Sequence, residues 1–150
     1  MRPIMLDTIE VQNSQSPVPL LDAAVAGAIL ARDPGDRALR REAAQAWRWL
    51  KPVLSDHVAS EEEMTLRRVG SERVLPQSLL DGVRERLARL RVLATTVGGV
   101  DFDRAGDTEV RRGARALCAI AVDLDDLIDR DETLLFPILQ RSLFTHASPK

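Results

Sequence analysis

Apolar residues fall at three- and four-residue steps along most of this chain, the spacing that aligns side chains on one face of a helix. From about Pro19 to Arg32 the row Leu21, Val25 and Ile29, with Leu20, Ala24 and Ala28 beside it, predicts a first helix and marks its inner face. The tetrapeptide Asp33-Pro34-Gly35-Asp36 reads as a turn, because proline fixes φ and glycine relaxes it. A second helix is predicted from near Asp36 to about Arg68, on the stripe Leu39, Ala43, Ala46, Leu50, Val53 and Met64. Pro52 lies inside it without turn-forming neighbours, so it is expected to kink the helix rather than end it.

Gly70, Ser71 and Pro76 punctuate the chain before a third helix, from about Gln77 to Thr96, with Leu80, Val83, Leu87, Leu90 and Ala94 facing inward. Gly98-Gly99 stops it. After the Gly98–Gly106 loop, Asp107 or Thr108 is a good N-cap for a fourth helix. Its buried stripe reads Leu117, Ile120, Leu124, Leu127, Leu134 or Leu135, and Ile138, with Pro137 near its end. No strand alternation is visible. Four amphipathic helices with short connections predict an all-α fold, an antiparallel up-down four-helix bundle over residues 18–142. Residues 1–17 form an irregular lead-in, and residues 143–150 a C-terminal tail.

The stripe of the second helix is broken in one place, where it runs through His57 and Glu61. A buried carboxylate is costly unless it is paired, hydrogen-bonded or bound to a metal. The pair is therefore a metal site, the remnant of one, or a buried polar contact with a partner elsewhere in the fold. On the fourth helix, Asp131 and Glu132 lie on or beside the inner stripe and could reach the same level in an antiparallel arrangement.

Composition narrows the function classes. The chain has 150 residues, 45% of them hydrophobic and 29% charged, which is globular rather than disordered. A net charge of −2 gives no electrostatic case for nucleic acid or an acidic membrane. The single cysteine, Cys118, excludes an intramolecular disulfide and sits in the apolar run Ala116–Val122, as a small buried hydrophobe would. No run approaches the roughly 20 apolar residues of a membrane span, and no N-terminal stretch has the zones of a secretory signal. The expectation is a soluble cytoplasmic protein.

The motif His57-Val-Ala-Ser-Glu61, together with Asp131-Glu132-Thr-Leu-Leu-Phe-Pro137, resembles the hemerythrin family, also called HHE cation-binding domains. The resemblance in helix order and length spans roughly residues 18–142, and only these two motif regions are specific. It implies an up-down four-helix bundle whose core holds two non-haem irons, with His57, Glu61 and Glu132 as metal ligands and the two glutamates as the bridging carboxylates. The family's ligand set is five histidines and two carboxylates. Here Leu127 stands at the fourth-helix histidine position, Asp22 or Ala24 stands near the first-helix one, and the third helix has no histidine. His146 lies in the tail. The resemblance thus argues for the fold, while the residues argue for a remnant site with no cofactor.

The function expected is a non-catalytic regulatory or interaction module acting through a protein partner, self-association or a small ligand. The alternative is a metal or oxygen sensor holding iron or another divalent cation through the reduced set His57, Glu61 and Glu132. No nucleophile–base pair, phosphate loop or cofactor fingerprint points to an enzyme. Asp101 to Arg112 resembles a calcium loop, but Ala105 stands at its fifth position and Arg112 at its twelfth, where a glutamate is required. A helix-capping loop explains those acids better. Asp123, Asp125, Asp126 and Asp129 read as the wet face of the fourth helix, and Arg84, Arg86, Arg89 and Arg91 as solvent-facing residues of the third. Trp47 and Trp49, two residues apart, point about 200° from one another, so one of them is expected to be exposed.

Overall fold

The computed structural model describes residues 17–63 and 76–130. They form four helices: α1 (Pro17–Arg32), α2 (Arg37–Glu61), α3 (Gln77–Gly98) and α4 (Asp107–Arg130). Among the described residues there is no strand. The arrangement is compatible with a four-helix bundle around one core. Leu30, Leu50, Leu87, Leu90, Leu117, Ile120, Leu124 and Leu127 lie fully buried there.

The helix boundaries have local causes. Asp36 is extended and accepts hydrogen bonds from the amides of Ala38 (2.9 Å) and Leu39 (3.1 Å), capping α2. α2 runs on through Pro52, which is exposed. At the start of α4 the expectation needs correction, since Asp107 is its first helical residue and not its cap. There its carboxylate complements the positive end of the helix and accepts from Arg40 Nη2 at 3.0 Å.

That contact belongs to a clamp. Arg40 Nε donates to Pro34 O at 2.6 Å, and Nη1 donates to Phe102 O at 3.2 Å and Ala105 O at 2.8 Å. One guanidinium thus ties the turn before α2 to the loop before α4, and its side chain is only 11% exposed. Val100 and Phe102 in that loop press on Gly113, where a Cβ would stand 2.9 Å from Val100 Cγ2. Asp101 Oδ1 accepts from the amide of Asp103, so the acids of the calcium-like stretch close a turn and meet an arginine.

Helix α1 presents a different face from the one its large residues predict. Leu20, Ala23, Gly27 and Leu30 are buried, whereas Leu21, Val25 and Ile29 are 63%, 45% and 45% exposed. Close backbone approach explains the turn of the helix. A Cβ on Gly27 would lie 2.5 Å from Ala114 O and 2.8 Å from Cys118 N, so α1 meets α4 main chain to main chain. A leucine or isoleucine row at that seam would hold the helices apart. Arg111 Nε closes the upper end of the seam by donating to Ala31 O at 3.0 Å.

In α3 and α4 the predicted faces are the observed ones: Leu80, Val83, Leu87 and Leu90, and Leu117, Ile120, Leu124 and Leu127, are buried. Met64, Asp131, Glu132, Leu134, Leu135, Ile138 and His146 lie outside the described residues.

Candidate functional site

The site expected from sequence is built on the last two turns of α2. His57 and Glu61, four residues apart, fall on one helix face, and Glu61 is the one buried charged residue among those described, 5% exposed. His57 Nε2 lies 3.8 Å from Glu61 Oε1, beyond hydrogen-bond length but within electrostatic range. Burial pushes the imidazole pKa below its usual value, and the Glu61 carboxylate only partly offsets this. Burial thus disfavours the charged imidazolium at this position.

The surroundings of the pair follow from the cross-links between helices. Arg91 pairs with Glu62, setting the end of α2 beside the middle of α3. Arg89 Nε pairs with Asp123 Oδ2 at 2.9 Å, setting the same level of α3 beside α4. Among the described residues, the buried side chains at that level include Leu87 and Leu90 from α3 and Leu124 and Leu127 from α4. On α1, Asp22 is exposed and Ala24 is half-buried. Among the described residues no group of three or more histidine, cysteine or acidic side chains gathers closely enough to hold a cation. The described residues thus bring one imidazole and one carboxylate to this site, whereas a diiron centre takes ligands converging from several helices. Glu132, the third candidate ligand, lies outside the described residues.

Several side chains play parts the sequence did not announce. Asp123 is not on a wet face; it is 16% exposed and held by Arg89. Arg86 is half-buried rather than solvent-facing, and Arg89 and Arg91, though exposed, tie α3 to α4 and to α2. Arg40 looked like one charge among many, and no local pattern marks an arginine three of whose four partners lie more than 60 residues away. Trp47 packs half-buried against the core, and Trp49 is the exposed indole, at 37%. Cys118 is half-buried beside Gly27, and burial raises its thiol pKa.

Among the described residues, α2 has a hollow on either half. One, about 270 Å³, opens between its C-terminal half and α3, lined by Leu54, Val58, Glu62, Leu90, Arg91 and Ala94. The other, about 510 Å³, lies between its N-terminal half and the loop before α4. No helix among the described residues is long and apolar enough to cross a membrane. No family model matches the chain, and no curated protein or solved structure does either.

Proposed function

We propose that this chain is a hemerythrin-like, antiparallel up-down four-helix bundle that has given up the diiron centre and serves as a non-catalytic regulatory or interaction module in the cytoplasm. One observation carries the reading: among the described residues, α3 and α4 bring Leu87, Leu90, Leu124 and Leu127 to the level of His57 and Glu61, where a metal centre needs ligands. Leu127 supports it, since it stands where the resemblance places a histidine ligand. Contacts along the α1–α4 seam support the antiparallel part, since they pass from Gly27 to Ala31 in α1 while falling from Cys118 to Arg111 in α4.

A second reading, a metal or oxygen sensor, is favoured by the placement of His57 one turn from the buried Glu61 carboxylate. A deprotonated imidazole one turn from a buried carboxylate is the form a divalent cation binds. In that reading iron or another cation rests on His57, Glu61 and Glu132, with water completing the shell.

Metal analysis by mass spectrometry separates the two. It is made on protein purified without chelator or histidine tag, before and after anaerobic Fe(II) loading, with His57→Ala alongside. The module reading expects no stoichiometric metal and a melting temperature indifferent to chelator and to Fe(II). One metal per chain, lost in His57→Ala, establishes the sensor instead. Two irons per chain with oxo-bridge absorption after exposure to air overturns both.

A further inference from the structure

The larger hollow has walls of opposite charge. On the α2 side Arg41 and Arg48, seven residues and so two helical turns apart, line it and are exposed. Neither forms a hydrogen bond or ion pair among the described residues. The loop side carries Asp101 and Asp103, also exposed. Asp101 is engaged by the amide of Asp103, while the Asp103 carboxylate has no partner among the described residues. Two cationic and two anionic side chains thus share one cleft without closing on each other.

Between the walls the floor is apolar and fixed. Trp47 packs half-buried against the core, and Val100 and Phe102 stand on Gly113. The Arg40 clamp holds the Phe102 carbonyl in place, and Asp107 offsets its charge, so Arg40 braces the floor rather than serving a ligand. A cleft of about 510 Å³ is within the range of small-molecule sites. An anion alone would meet the aspartates, and a cation alone the arginines.

We propose that this cleft binds a small dipolar molecule: a carboxylate at one end facing Arg41 and Arg48, an ammonium at the other facing Asp103, and a flat apolar body over Trp47 and Phe102. Guanidinium groups suit a carboxylate because they can donate two parallel hydrogen bonds to it. The site is separate from His57 and Glu61, and its occupancy does not depend on whether that pair holds a metal.

The test uses 4-(aminomethyl)benzoate as probe, with 4-methylbenzoate and 4-methylbenzylamine as the matched compounds lacking one charge each. The chain has two tryptophans, so Trp49→Phe leaves Trp47 as the only indole reporting on the cleft. Emission is titrated with each compound, and calorimetry repeats the titration on the unaltered protein. The expected result is saturable binding of the dipolar probe, at least about tenfold tighter than either singly charged one. Joint replacement of Arg41 and Arg48 by glutamine should bring the probe down to the affinity of the amine. Asp103→Asn should bring it down to that of the acid. These three side chains are exposed and form no hydrogen bond or ion pair among the described residues, so the variants keep the melting temperature of the parent. No saturation by the dipolar probe, or equal affinity for all three compounds, overturns the proposal.

Discussion

The α1–α4 seam and the α2–α3 seam solve the same problem in opposite ways. At the first, Gly27 brings one backbone against the other, and there is no room for even a methyl group. At the second, the helices stand apart around a hollow of about 270 Å³, and the Arg91–Glu62 pair spans its edge. The first seam is closed by atoms that cannot move independently, the second by two flexible side chains that are 56% and 38% exposed. Close packing of main chains leaves no side-chain freedom to lose, whereas a surface ion pair gives up rotamer entropy and is screened by salt. The stability of the fold should therefore be concentrated at α1–α4, leaving the α2–α3 side as the place where the structure yields.

The largest effect expected is at Gly27. Gly27→Leu must push α1 off α4, and overpacking against rigid backbone should cost about 3 kcal/mol or more, read as a fall in denaturant midpoint. Gly82 is the contrast, because a Cβ there meets nothing within 4 Å and it lies inside α3. Gly82→Ala should stabilise by about 0.5–1 kcal/mol through helix propensity. If both substitutions behave alike, the seam is not the tight one.

An intermediate effect belongs to His57 on the looser side. Its pKa in the folded protein lies below the unfolded value, so above about pH 6.5 both states are neutral and the histidine has no influence. As pH falls from about 6.5 toward the lower folded pKa, the unfolded state takes up a proton that the folded state refuses, and stability drops. Over one pH unit this loss is at most about 1.4 kcal/mol. Melting temperatures between pH 7.5 and 5.5 should fall more steeply for the parent than for His57→Gln. Parallel curves would mean that the imidazole is solvated in the folded chain.

The smallest effect is at the ion pair itself. Arg91→Ala should cost no more than about 0.5–1 kcal/mol, and high salt should erase the difference. A larger, salt-independent loss would make the two seams equivalent and remove the contrast between them.

How well each element could be read from the sequence tracks the same division. α3 and α4 alternate apolar and charged residues so regularly that the faces of Leu80, Val83, Leu87 and Leu90, and of Leu117 to Leu127, followed from periodicity. The pairing of His57 with Glu61 on one buried face was equally legible, because the spacing of four and the interrupted stripe are local facts. α1 was not legible in that way. It is apolar almost all round, with Asp22 and Arg32 as its only charges, so hydrophobicity alone does not choose a side. The preference for burying large residues pointed to Leu21, Val25 and Ile29, and the structure turned the other side inward.

What the sequence by itself determined is therefore the four helices of the described residues, their limits near Asp36, Gly98 and Gly106, and the inner faces of those with a strong polar contrast. These follow from interactions within about one turn of each residue. Only the tertiary structure decided which side of α1 is buried, that Arg40 locks two loops, and that Asp123 answers Arg89. Each of these depends on how closely two distant backbones approach. That distance is set by the whole packing, where a glycine in one helix acts only through the helix it faces.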